Sequence, residues 1–443
     1  MSYRYPETHL LYRNLGRSYP MVVKGHGCWL HDADGKTYLD GCGGAFVTSL
    51  GHGVDEVVAA IAAETREVGY VSGLAFTNPS AEALADELAE LTAPELRQFF
   101  FLSSGSDAIE AAAKLARQYW VELGVPSKQA VIALTPAYHG NTLLALSLGA
   151  RQRYQTFFAP WLLEIPRVPA PYSYRCSCDG KDSGCPRCSG NALEEMIRQI
   201  GGENVAAFIG EPVGGSSTGA SVPRPGYWRT IREICTRHDV LWIADEILVG
   251  AGRTGSWSAL TPYEAVPDMQ VMGKGISGGY APLAAVAVAR KIGDAIAAGS
   301  AGVLHAQTFV HAPSICAAGT AAIRYLRRHD LLSRCREMGG LLHRKLEAVR
   351  GLPLVGDVRG RGLLAGIEFV EDRDSRAPFP RDKRFAERFT AAAERAGLLV
   401  WPNTGHADGV NGDLVMLAPP FVISEGEIDQ VVERLLQAYE TVQ

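Results

Sequence analysis

The sequence predicts an α/β protein: a large domain with a central, mostly parallel sheet flanked by helices, and a smaller α+β domain formed by both chain ends. Three observations carry this. The chain has 443 residues, too many for one small core and about right for two domains. Its middle alternates short apolar segments with amphipathic ones, the rhythm of a parallel sheet wrapped by helices. Its tail breaks that rhythm, with strands lying between longer helical segments.

Taken in order, residues 1–55 form an N-terminal segment. In it Trp29-Leu30-His31-Asp32 and Lys36-Thr37-Tyr38-Leu39-Asp40 flank an Asp34-Gly35 turn and read as a hairpin packing with the small domain. Residues 56–328 form the large domain. Its strands are expected at Gln98–Leu102, Ala130–Leu134, Val205–Gly210, Val240–Ala244 and Leu283–Ala289, with helices such as Ser106–Leu123 and Tyr227–His238 between them. Residues 329–443 form the small domain. A long helix from about Leu331 leads into a strand over Val358–Phe369, and helices near Lys383–Gly397 and Glu425–Tyr439 flank a strand at Asp413–Leu417. In such a sheet, ligands sit at the carboxyl ends of the strands.

Composition narrows the partners. Apolar residues make up 47% and charged residues 21%, so a sizeable core is available. The net charge of −5 gives no electrostatic footprint for nucleic acid or an anionic membrane, which leaves small molecules. Met1–Leu15 carries Arg4, Glu7 and Arg13 and lacks a signal-peptide core, and no apolar run approaches a bilayer span. Cytoplasmic residence is the default expectation. Of nine cysteines, five (Cys28, Cys42, Cys235, Cys316 and Cys335) are scattered, as in a reducing compartment.

Five short motifs carry the chemistry. Leu102-Ser103-Ser104-Gly105-Ser106-Asp107-Ala108 follows a strand and opens a helix, whose free N–H groups and dipole suit a phosphate; an ordinary capped helix with Ser104 or Ser106 as N-cap has the same signature. Ala137-Tyr138-His139-Gly140 sets an aromatic ring at a strand's carboxyl end, where it stacks on a flat heterocycle or simply packs. Ile243-Ala244-Asp245-Glu246-Ile247 ends an apolar strand with two carboxylates, which are expensive there unless paired or functional. A metal- or nucleotide-site acid fits that position too, but the chain has no G-x-x-x-x-G-K-[ST] loop. Gly273-Lys274-Gly275 follows, one more βα element placing Lys274 back in the same pocket, where a lysine of lowered pKa forms a Schiff base and shuttles protons. Last, His305-Ala306-Gln307-Thr308-Phe309 precedes a helix and offers the Thr308 hydroxyl.

In this order, these motifs resemble the class III (ω-type) aminotransferases of pyridoxal-5'-phosphate (PLP) fold type I, over nearly the whole chain. Leu39-Asp40-Gly41 with Gly51-His52, Glu211-Pro212-Val213, Val358-Arg359-Gly360-Arg361-Gly362-Leu363-Leu364 and Leu417-Ala418-Pro419-Pro420-Phe421 match further family segments. The departures are Asp107 for the usual Glu, Ile247 for Val, and Leu248 and Val249. The resemblance implies that Ser104, Gly105 and Ser106 hold the phosphate, completed by Thr308 of a partner subunit in a homodimer. It implies that Tyr138, with His139 beside it, stacks on one ring face and Ile247 packs on the other. Glu211 lies on the phenolic side, Asp245 bonds the ring nitrogen, and Lys274 forms the Schiff base. The expected activity is a ping-pong transamination from a primary amine or ω-amino acid to a small keto acid.

No arginine occurs between Trp401 and Pro419, so His406 is the one cation available there to a substrate carboxylate, and pyruvate is favoured as acceptor. Ala45 and Phe46, with Tyr19 and Tyr154, are expected to wall the substrate pocket, core or dimer packing being the alternative use. Cys176, Cys178, Cys185 and Cys188 suit a tetrahedral zinc site, reduced thiols or a reversible disulfide alike; no metal ligand is assigned. Two other readings stay open: a PLP-dependent racemase, aminomutase or decarboxylase, and, from another class, a zinc- or redox-responsive binding protein built on these cysteines.

Overall fold

The structure, a computed structural model, describes residues 2–178 and 184–443. Its largest sheet has seven strands, in the spatial order Leu96–Leu102, Ala284–Ala289, Met269–Met272, Leu241–Asp245, Val205–Gly210, Ala130–Thr135 and Arg167–Pro169. All neighbours pair in parallel except Ala284–Ala289, which runs antiparallel to both strands beside it. Leu241–Asp245 and Val205–Gly210 are buried along their whole length, because helices cover both faces. On one face the helix Gly105–Glu122 packs its small, apolar side. On the other, Trp228 of the helix Tyr227–Arg237 stacks on Trp242 at 5.3 Å and 7°.

The strand Val205–Gly210 has the bounds the sequence predicts, and the other four expected strands agree to within two residues at each end. Two strands are additional. Arg167–Pro169 is a three-residue edge strand, and Met269–Met272 is a four-residue strand, fully buried. The latter changes how Lys274 returns to the pocket. No α-helix intervenes after Asp245: the chain passes through turns and one short 3-10 turn, Thr261–Tyr263, and comes back beside it, Asp245 pairing with Val271.

Both chain ends build the smaller part. Leu398–Leu399 pairs in parallel with Thr37–Asp40, and the expected hairpin of Trp29–Asp32 and Thr37–Asp40 is present. The segment read as a single strand over Val358–Phe369 is instead two antiparallel strands, Val355–Gly360 and Ala365–Phe369. The reversal falls at Gly362, whose φ of +59° and close approach to the Thr254 backbone leave no room for a Cβ. Phe369, Phe385, Phe389 and Phe421 fill the core beneath this sheet, and the final helix Glu425–Val442 closes it through a Ser424–Glu427 capping box. Among the described residues, no helix is long and apolar enough to cross a membrane.

Candidate active site

Five strands of the large sheet deliver their carboxyl ends to one cavity of about 190 Å³, lined by Ser104, Gly105, Ser106, Tyr138, His139, Glu211, Asp245, Ile247 and Lys274. Each stands within a few residues of a strand end, which is why motifs dispersed over 170 residues of sequence meet.

At one end lies a helix N-terminus. Ser104 Oγ accepts a hydrogen bond from the Asp107 amide at 3.2 Å, so Ser104 is the N-cap of Gly105–Glu122 as well as a cavity wall. Two glycines permit the close packing behind it. A Cβ on Gly105 would stand 2.9 Å from Ile247 Cδ1, and one on Gly140, at φ +145°, would collide with Ser106 Oγ. Ser106 Oγ accepts from the Asn141 amide at 3.1 Å, joining the helix start to the Tyr138 loop.

The buried carboxylates divide by direction. Asp245 faces the cavity: Oδ2 lies 2.7 Å from His139 Nδ1, and Oδ1 accepts from the Ile247 amide at 3.1 Å. Glu246 turns away and accepts from Ser258 Oγ at 2.5 Å and the Ala259 amide at 2.7 Å. The two acids therefore do not form a joint metal site. Burial disfavours a charged His139, but its hydrogen bond to Asp245 and that residue's charge outweigh burial and raise its pKa above the usual value. Its Nε2 has no hydrogen-bond partner among the described residues. Glu211 accepts from the Gly215 amide at 3.0 Å and the Tyr138 amide at 3.3 Å, and burial pushes its carboxyl up to about 7.

Lys274 follows extended Gly273 and adopts a φ of +43°, a left-handed conformation that costs roughly 1 kcal/mol or more for a residue with a Cβ. Burial lowers its amine to about 8, against the pull of Asp245 and Glu211. Its Nζ stands 5.8 Å from the centre of the Phe46 ring, which itself meets Trp401 at 5.3 Å. Neighbouring Ala45 is exposed. Thr308 is exposed and does not line this cavity of its own chain.

A second, outer cavity of about 570 Å³ adjoins the first where Ser216 and Ser217 follow one another, one lining each. Tyr154 and His406 line it, as expected from sequence. Tyr19 does not; it stacks on Tyr12 at 4.6 Å, and its hydroxyl accepts from the Asn14 amide. His406 is fully packed, with Nε2 3.1 Å from Glu368 Oε1, so a protein carboxylate already holds it. A residue absent from the expected set, half-buried, brings a cation to the junction of the two cavities. Arg151 lies against the Tyr138 ring at 4.7 Å, donates to Ser216 Oγ and Ser217 Oγ, and lines the outer cavity. Only its position just past the Tyr138 loop signals it, and nothing local marks it as buried.

The family model for class III aminotransferases matches residues 13–439. The chain is a class III aminotransferase. Among its relatives, the uncharacterized aminotransferase YodT of Bacillus subtilis is 36% identical over 426 residues, covering 96% of each chain. An adenosylmethionine-8-amino-7-oxononanoate aminotransferase of Geobacter sulfurreducens is 35% identical over 95% of this chain and 92% of its own length. In structure, a thermostable (S)-enantioselective ω-transaminase of Thermomicrobium roseum superposes with a TM-score of 0.91 at 32% identity, covering 98% of this chain and 96% of that one. A PLP-bound amine transaminase from an uncultivated Pseudomonas species also gives 0.91 at 32% identity, over 100% and 99%.

Class III aminotransferases use PLP, and the inner cavity of this one fits it. A helix start crowded by glycines stands where a phosphate needs N–H donors, an acidic side chain faces the opposite end, an aromatic ring and an isoleucine form its walls, and an amine of lowered pKa enters it.

Proposed function

We propose that this aminotransferase moves an amino group from a primary amine or ω-amino acid to a small keto acid, pyruvate first, in a ping-pong cycle with PLP attached to Lys274. The observation that carries the reading is the placement of the Lys274 side chain in one cavity with Asp245, Tyr138 and the glycine-crowded helix start. When bound, PLP supplies a protonated ring that takes up the electron pair released as the substrate's Cα–H bond breaks.

The chain's own groups do the rest. Asp245, its geometry fixed by His139 and the Ile247 amide, would hold the proton on the ring nitrogen. Ser104, Gly105 and Ser106, at the helix start, would hold the phosphate, and Tyr138 and Ile247, which line the same cavity, would flank the ring. With a pKa near 8, Lys274 is largely able to exchange a proton near neutrality, as a shuttle between two carbons requires. Arg151 receives the substrate carboxylate, its guanidinium held by two serines at the junction of the cavities. Its presence answers the missing arginine between Trp401 and Pro419.

The active form we propose is a homodimer. Leu74, Phe76, Leu304 and Phe309 are 97, 68, 76 and 52% exposed, large apolar side chains on the surface around Thr308. A partner covering them would bring its Thr308 to the phosphate site. We place the enzyme in the cytoplasm.

The test is the visible spectrum of the holoenzyme and of Lys274→Ala with a panel of amines and amino acids. The reading expects a yellow band in the wild type, bleached by a donor and restored by pyruvate, and no turnover by the variant. A band that shifts without bleaching would favour racemase or decarboxylase chemistry. Restoration by 2-oxoglutarate but not by pyruvate would overturn the acceptor.

A further inference from the structure

Away from the active site, the structure gathers the four cysteines that the sequence leaves open. Cys176 Sγ lies 3.3 Å from Cys178 Sγ and 3.5 Å from Cys185 Sγ, and Cys178 Sγ lies 3.4 Å from Cys188 Sγ. All four sulfurs fall within 4.8 Å of one another.

Local backbone explains the convergence. Cys185 precedes a single helical turn, Pro186–Ser189, in which the Cys188 and Ser189 amides both donate to the Cys185 carbonyl, so Cys185 and Cys188 share one side of the turn. Cys176 closes the turn Ser173–Arg175, its amide donating to the Ser173 carbonyl. Arg187 then donates to the Arg175 carbonyl at 2.9 Å and ties the two halves together.

The spacing discriminates between chemistries. A disulfide needs its sulfurs about 2.05 Å apart, and pairing two thiols here would leave the other two crowded against the bond. A tetrahedral ion with metal–sulfur bonds of about 2.3 Å sets its sulfurs about 3.8 Å apart, close to the spacing of all four. Polynuclear iron–sulfur clusters spread their cysteines wider than this. We propose that Cys176, Cys178, Cys185 and Cys188 bind one structural zinc ion as thiolates, with no open coordination position.

The same loop reaches the substrate side of the enzyme. Arg175, between the Ser173 turn and Cys176, donates through Nε to Glu368 Oε1 at 2.7 Å. That Glu368 oxygen also faces His406, which lines the outer cavity. The zinc site thus acts as a clamp: it fixes Arg175, which fixes Glu368 and the His406 wall, and it plays no part in holding the cofactor.

The test begins with metal analysis of the wild-type holoenzyme grown with zinc in the medium. The proposal expects about one zinc per chain, released to a metallochromic dye when a mercurial blocks the thiols. Protein grown on cobalt should show the sulfur-to-metal charge-transfer absorption of a tetrahedral thiolate site. Cys185→Ser and Cys188→Ser should lose the zinc and melt at lower temperature. Where they fold, they should retain the lysine-bound cofactor band and show a raised KM. Wild-type protein free of metal, with its thiols all titratable or paired as a disulfide, overturns the proposal. So does iron in place of zinc, or zinc that persists in both variants.

Discussion

The cofactor side and the substrate side of this active site are built by different means. On the cofactor side the groups lining the cavity follow the carboxyl ends of five strands in one sheet, so sequence distance is converted into spatial order by backbone pairing, four of the strands joined in parallel and Leu96–Leu102 through antiparallel Ala284–Ala289. On the substrate side the groups come from the loop after Tyr138 and the segment 402–410, and Glu368, itself bonded to Arg175 of the cysteine loop, packs behind His406. Backbone topology is robust to single substitutions. A buried ion network is not.

The sharpest way to break the second region is Glu368→Gln. Glu368 is fully buried, accepts from Tyr172 Oη and Arg175, and pairs with Arg359 and His406. Removing its charge strands cations in the interior, a loss of roughly 3–5 kcal/mol. Chemical denaturation should show it, with the cofactor band still present in the folded fraction. On the cofactor side, Asp245→Asn leaves the fold intact and should lower kcat by roughly 10²–10³-fold, as for loss of one preorganised electrostatic partner. Steady-state rates with full cofactor loading measure this, and a near wild-type rate would remove Asp245 from the chemistry.

Arg151→Gln tests the junction of the two regions. Loss of a charge-assisted contact worth about 2 kcal/mol should raise KM for the keto acid roughly 30-fold and change kcat far less. An unchanged KM would return carboxylate recognition to another group. The smallest effect is a pH dependence. Burial lowers Lys274 to about 8, so its neutral, nucleophilic form dominates above that pH. Covalent capture of PLP by the apoenzyme should therefore accelerate from pH 7 and level off above about 8. A rise that continues toward 10 would mean a lysine with an ordinary pKa.

The contrast between the regions also decides what the sequence reveals. Asp245 and Lys274 are legible because a strand's apolar run ends abruptly in a charge or a glycine, a signal confined to a few residues. The strand Met269–Met272 that joins them is four residues long, too short to show a period, so the return of Lys274 reads as a helical crossover when it is a direct one. The turn at Gly362 is not marked by its neighbours in the Val358–Phe369 segment, because its cause is the distant Thr254 backbone. The packing of His406 against Glu368 is illegible for the same reason. Whether a loop cation faces a ligand depends on which carboxylate packs behind it, and Glu368 lies 38 residues before His406.

The central claim is that Lys274 holds the cofactor opposite Asp245. The most direct test is borohydride reduction of the holoenzyme, followed by digestion and mass spectrometry. The account predicts a single modified peptide carrying the added mass of the cofactor on Lys274. Modification at another lysine, or an unmodified Lys274 in protein that retains the yellow band, would contradict it.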